Sequence, residues 1–329
     1  GMGQAHTVPF ATAIIVAFLA TAMILVGRVS LGQGIVVAAV LCSPAVMFAL
    51  ERVNMDVLLF SVVAGSVLVW RWWPRPAGVL SPVLYFVAAT AKIFPVVGLP
   101  VFLFTRRRDA VLTATAALVG FAVYAAATLA DIRVVAGTAT QGQAYSYGAR
   151  ILLSRIVRLV GFQPETGASS AKQALAILPV LALMGLLALW AYRRFPRPAE
   201  ATYRPMPWRL LSFLLGTAIY LGTFAVANNF DYRLIFLILT LPQLFEWASR
   251  DEAATADAAP TQEWQALSAV TLGAIVILVW IGSLWEPLGL FDELASWAVA
   301  GLLGALALRS LPIGAVARPQ PRGSVETAR

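Results

Sequence analysis

Cysteine and histidine occur once each in 329 residues, and charged side chains make up only 12% of the chain. With Cys42 alone, an intramolecular disulfide and a cysteine-held metal cluster are excluded. His6 lies in the N-terminal leader and has no second imidazole to work with, which removes zinc, haem and iron–sulfur chemistry. A carboxylate site for magnesium or manganese stays open. The sequence is instead 60% hydrophobic, with a mean hydropathy of +0.80, whereas soluble domains are about 45–50% apolar and 25% charged. That excess rules out a water-soluble fold, and the abundance of aliphatic and aromatic side chains rules out disorder. The chain reads as an all-α polytopic membrane protein forming one domain.

At about 20 apolar residues per crossing, spans fall at 8–27, 34–50, 55–70, 110–130, 174–192, 210–227, 232–247, 266–285 and 293–309. These are nine full transmembrane helices. Between Arg75 and Arg106 a further apolar stretch is interrupted by Lys92 and Pro95. Proline kinks a helix, and an intramembrane lysine must face protein or water. The stretch therefore reads as two short helices in a V with Lys92 near the apex, making 11 membrane segments. The V puts Arg28, Arg71, Arg75, Arg106 to Arg108, the arginines from Arg193 to Arg209, Arg250 and the tail arginines on one side. They are most of the 24 basic residues. By the positive-inside rule that side is the cytoplasm of a bacterial inner membrane. The N-terminus as given is then outside and the C-terminus inside. The +8 net charge reports topology and implies no nucleic-acid partner. A transmembrane domain is expected over 1–310, with an outer amphipathic segment at 131–171 and a cytoplasmic loop at 248–265, and a basic tail over 311–329.

Polar residues gather on the opposite, outer side. ERVNMD (Glu51 to Asp56) joins two apolar runs; on a continuous helix Arg52 and Asp56, and Glu51 and Asn54, would form two polar stripes. Such a segment is either a solvated turn or a place where a carboxylate orients a sugar hydroxyl or acts as a base while arginine meets a phosphate. Lys92 costs about 2.5–3.5 kcal/mol to insert at a helix centre, so it snorkels or binds a phosphate, and the phosphate role is preferred. NNFDYR offers Asn228, Asn229, Asp231, Tyr232 and Arg233, which suit helix capping or recognition of sugar hydroxyls and phosphate. In the outer segment, Arg155 and Arg158 share one face of a short interfacial helix. Tyr145, Tyr147, Arg150 and Arg155 would wall a lipid-phosphate site there.

The order ERxNxD, AxKIFP, an arginine run and NNFDYRLIF resembles the glycosyltransferase C superfamily. Within it the chain is most similar to bacterial family eighty-seven membrane mannosyltransferases, which commonly show ERGN-D and K-[LIF]-[YF]-P. Glu51, Asn54 and Asp56 match the first motif, with Val53 in place of glycine. Lys92 and Pro95 match the second, and Asn229, Asp231, Tyr232 and Arg233 match the late turn. The resemblance implies transfer of a sugar, mannose first, from a polyprenyl-phosphate donor to a lipid-linked or glycan acceptor at the outer face, with inversion. Superfamily members carry an acidic outer loop after their first helix, yet no acidic residue precedes Glu51 here. Either that helix and loop are missing from the start of the chain, or Asp56 or Asp231 supplies the catalytic base. Two other readings stay open: a truncated or non-catalytic subunit binding lipid phosphates, and a transporter or flippase of a lipid-linked solute.

Overall fold

The computed structural model describes residues 4–138, 146–149, 151, 182, 185–186, 189–190, 193–194, 206–226, 229–249, 262–284 and 289–311. The described elements are almost all helical. They are α1 (Gln4–Val26), α2 (Leu31–Leu41), α3 (Pro44–Glu51), α4 (Met55–Trp72), α5 (Pro74–Ala91), a first 3-10 helix (Phe94–Phe104), α6 (Arg108–Ala127) and α7 (Leu129–Thr138). After strand β1 (Ser146–Tyr147) come α8 (Trp208–Val226), β2 (Asn229–Phe230), a second 3-10 helix (Asp231–Thr240), α9 (Leu241–Ala248), α10 (Gln262–Leu284) and α11 (Gly289–Ser310). Most of the expected span at 174–192 and most of the loop at 248–265 lie outside the described residues.

Six of these helices are long and apolar enough to cross a membrane, and α2 with α3 form a seventh candidate bent by 50°. The bend has a local cause. Ser43 accepts the Val46 N–H as the N-cap of α3 while Pro44, lacking an N–H, occupies its first turn. The second arm of the V and one expected span are built differently from the α-helices that hydropathy suggests. The V comprises an 18-residue α-helix and an 11-residue 3-10 helix; at about 2 Å per residue the latter travels about 22 Å. The stretch expected at 232–247 is a 10-residue 3-10 helix running into the eight-residue α9.

Burial sorts the spans into layers. Only 17% of α1 and 22% of α6 is buried, against 61% of α4 and 67% of α8. Leu112, Val119 and Val123 on α6, and Val16 on α1, are exposed, as a lipid-facing surface requires. Thr21 donates to Ala17 O at 2.8 Å and Thr115 to Val111 O at 2.8 Å, so these two hydroxyls are satisfied within their own helices. Inside, Phe18 meets Phe60 edge-on at 4.9 Å, Phe60 lies 6.1 Å from Phe236, and Phe236 meets Phe94 at 5.4 Å. This aromatic series ties α1 and α4 to both 3-10 helices. On α8, close approach needs glycine at two points. A Cβ at Gly222 would lie 2.7 Å from Val97, and one at Gly216 would lie 2.8 Å from Leu239, so α8 meets each 3-10 helix nearly backbone to side chain.

The loops segregate to two poles. At the basic pole Arg71 donates to Ile24 O at 3.3 Å and stacks on Trp208, while Trp70 donates to Met206 O at 3.0 Å. Gln33 donates to Ser249 at 3.0 Å. Arg107 donates to Pro74 O and Arg75 O and pairs with Asp109 at 2.7 Å, so the loops on either side of the V lie at one pole and its apex at the other.

Candidate active site at the polar apex

The site begins with the chain break at 52–54. The Val53 N–H donates to Leu50 O and the Asn54 N–H to Ala49 O, each at 3.0 Å, the pairing that closes a helix when the residue after its C-cap turns left-handed. That residue is Val53, at φ 44°. A β-branched side chain is costly there and glycine is not, which is the physical sense of the glycine found at this place in the ERGN-D motif. Asn54 then starts α4, its Oδ1 accepting the Asp56 N–H at 3.1 Å. The expected polar stripes on a continuous helix are therefore corrected. The helix ends at Glu51, and Arg52 lies over the Phe48 ring at 4.1 Å.

Asp56 is fully buried in the first turn of α4, and two cations converge on it. Lys92 Nζ, at the end of α5, donates to Oδ1 at 2.6 Å. Arg233, in the first turn of the second 3-10 helix, places Nε 3.6 Å from Oδ2. The Lys92 side chain is 28% exposed and that of Arg233 19%, against 0% for Asp56. The carboxylate thus anchors two cations that themselves reach the surface. Phe94 and Tyr232 hold the lysine between their rings, 5.6 and 5.7 Å from Nζ, and Phe94 also underlies the Arg233 guanidinium at 4.9 Å.

A second set of bonds fixes Arg233 from behind. Arg233 donates to Asn229 Oδ1, and Asn229 Nδ2 donates to Thr223 O at 2.5 Å. The Thr223 and Tyr147 hydroxyls are 2.8 Å apart, and Tyr147 stacks on Tyr220 at 5.5 Å. The two-residue strands pair antiparallel, Ser146 with Phe230 and Tyr147 with Asn229, which brings the segment after α7 to the NNFDYR turn. Asp56, Lys92, Asn229, Tyr232 and Arg233 are therefore one cluster, with Asp231 buried beside it. Glu51 and Arg52 are exposed at its margin, Asn54 is a cap, and Tyr147 is buried behind the cluster. Tyr145, Arg150, Arg155 and Asn228 lie outside the described residues.

Thr223, Phe94 and Phe48 join the site without having been singled out by sequence. Thr223 and Phe48 sit in apolar runs and carry no signal until packing places them, whereas Phe94 belongs to the KIFP motif but had no role assigned to it. Asp292 and Glu293 are also buried at this pole. Among the described residues no group of three or more His, Cys, Asp and Glu is placed to hold a metal ion.

A family model, glycosyltransferase family 87, matches residues 4–219. The chain belongs to this family. The matched region includes the Glu51 to Asp56 junction, Lys92 and Tyr147, while Asn229, Asp231 and Arg233 follow the match. Comparison with curated proteins and with solved structures gives no match.

Proposed function

We propose that this membrane glycosyltransferase takes a sugar, mannose first among the candidates, from a polyprenyl-phosphate donor and passes it to a lipid-linked or glycan acceptor at the outer face of the bacterial inner membrane. The observation that carries the reading is the convergence of Lys92 and Arg233 on one buried carboxylate. The two cations keep partly exposed nitrogens at the surface while the carboxylate they share is fully buried. Among anions a phosphate ester suits them best, because guanidinium and ammonium donate charge-assisted hydrogen bonds to several oxygens at once. The apolar flanks of a membrane bundle suit the prenyl chain.

In this reading Lys92 and Arg233 hold the donor phosphate and stabilise the charge it gains as the sugar departs. Asp56 positions both cations, since both of its oxygens face them. Asp231, buried in the first turn of the second 3-10 helix, is the stronger candidate of the two for accepting a proton. Tyr232, and Glu51 and Arg52 at the margin, complete the wall toward the membrane surface. The test is binding of polyprenyl monophosphate to protein in nanodiscs. Lys92→Ala is expected to lower affinity about 10- to 100-fold, the size of one lost charge-assisted hydrogen bond; unchanged affinity would remove the phosphate role.

A further inference from the structure

A cavity of about 360 Å³ lies apart from the cation pair, between the first 3-10 helix, α8 and α11, with Gly185 on one wall. Thr217 is the one polar side chain among its described lining residues. Protein interiors leave few voids larger than a water molecule, so an apolar space of this size in a membrane bundle calls for an apolar occupant. Its depth says where that occupant comes from. The lining runs along α11 from Ala300 to Leu311 and along the 3-10 helix from Pro100 to Phe104. At about 1.5 Å per residue the α11 wall is about 16 Å long, which is half of the ~30 Å hydrocarbon core and so the depth of one leaflet.

One end of the cavity stands at the basic pole. Thr105 and Arg106 follow Phe104 there, and α11 ends at Ser310 with Arg309 in its last turn. The other end, at Leu221 and Ala300, stops at mid-membrane. Beyond it Val97 packs against the backbone of Gly222, and this contact fills the seam between the 3-10 helix and α8 on the side toward Lys92 and Arg233. A chain of the basic-pole leaflet therefore meets the cavity at its own level, whereas a chain held at the cation pair meets the Val97–Gly222 contact first. Size separates a lipid chain from a protein helix. A helix about 10 Å across and 16 Å long occupies about 1,200 Å³, more than three times the space. At about 30 Å³ for a group the size of a water molecule, the cavity holds about 12 such groups, most of one acyl chain. Charge selects the headgroup. Arg106 and Arg309, both half-buried, adjoin the lining residues of the basic-pole end in sequence, and basic side chains at that level attract anionic lipids.

We propose that this cavity binds one acyl chain of an anionic phospholipid from the leaflet at the basic pole, with the headgroup phosphate at Arg106 and Arg309, as a site separate from that of the glycosyl donor. The lipid fills the space behind the first 3-10 helix, whose opposite end carries Phe94 under both cations. The proposal stands independently of the glycosyl-transfer reading, because none of its residues belongs to the cluster at the apex.

The test is native mass spectrometry of the full chain released from nanodiscs that hold phosphatidylglycerol and phosphatidylcholine in equal amounts. Wild-type protein is expected to retain one phospholipid, with phosphatidylglycerol favoured about fivefold or more, the size of one arginine's attraction to an anionic headgroup. A Cβ at Gly304 would meet Leu221 at 3.8 Å, an ordinary contact, so this lining position accepts a side chain without a clash. Gly304→Ala should lower retention about threefold, one methyl group's worth of chain contact, and Gly304→Leu about 10-fold or more by taking up more of the space. Arg309→Gln should remove the preference for phosphatidylglycerol while one phospholipid is still retained. Added polyprenyl monophosphate should leave the phospholipid in place. No lipid retained by the wild-type protein, or retention unchanged in both Gly304 variants, would overturn the proposal, and a preference unaltered by Arg309→Gln would overturn its headgroup assignment. Displacement by polyprenyl monophosphate would overturn it by giving the cavity to the donor's tail, and a dimer in place of the bound lipid would do so by giving this face to a second copy of the chain.

Discussion

At the scale of single residues, the site is a fully buried carboxylate whose charge is matched by two cations of unequal closeness. Removing the nearer one, Lys92, leaves Asp56 with Arg233 at 3.6 Å and no hydrogen-bonded partner. Lys92→Met is expected to destabilise the protein by about 3 kcal/mol, the lower end for breaking a buried pair. Adding Asp56→Asn should recover most of that loss, because the uncompensated charge is then gone. Thermal unfolding in detergent checks both, and a double variant no more stable than Lys92→Met would contradict the pairing. Val53 makes the opposite prediction. Its φ of 44° lies where an L side chain with a β-branch is strained by about 1–2 kcal/mol, so Val53→Gly should raise stability by about 1 kcal/mol after the added chain entropy of glycine is subtracted. A lower unfolding temperature would mean that the junction does not hold Val53 in that conformation.

At the scale of elements, the two 3-10 helices carry the site, for each begins within a few residues of a cation. Both are held by close contact with α8 at Gly222 and Gly216. Gly222→Leu should push the first 3-10 helix outward, cost about 1–3 kcal/mol by overpacking, and weaken lipid-phosphate binding as Lys92 and Phe94 shift. Gly273→Ala, where a Cβ meets nothing within 4 Å, is the control that should leave lipid-phosphate binding unchanged without lowering stability. Neither the 3-10 form of these segments nor the glycine contacts could be read from sequence. Hydropathy reports length and polarity, and a 10-residue 3-10 helix looks the same to it as part of an α-helix. Lys92 was legible, because a lysine in an apolar run has few explanations. Its partner was not: local spacing pointed Asp56 at Arg52, four residues away, whereas the left-handed turn at Val53 breaks the helix and aims Asp56 at a lysine 36 residues on. Pairings between distant segments have no signature in either segment alone.

At the scale of the whole molecule, charge and polarity divide between two poles, and that division was legible because loop arginines and polar turns lie at span ends. The bond from Arg107 to the backbone of Pro74 and Arg75 closes the V and predicts an experiment. In a Cys42→Ala background, single cysteines beside Arg71 and Arg106 should be labelled from the same side of spheroplasts, and one at Glu51 from the opposite side; labelling of the first two from opposite sides would break the topology. The central claim is that the cation pair and the neighbouring carboxylates make one glycosyl-transfer site. The most direct measurement is transfer of radiolabelled sugar from a panel of polyprenyl-phosphate sugars by purified protein in nanodiscs, with Asp56→Asn, Lys92→Ala and Asp231→Asn alongside. The account predicts transfer by the wild-type protein from at least one donor and its loss, by 100-fold or more, in each variant. Wild-type protein that binds polyprenyl phosphate yet transfers no sugar, or variants that transfer as well as wild type, would contradict it.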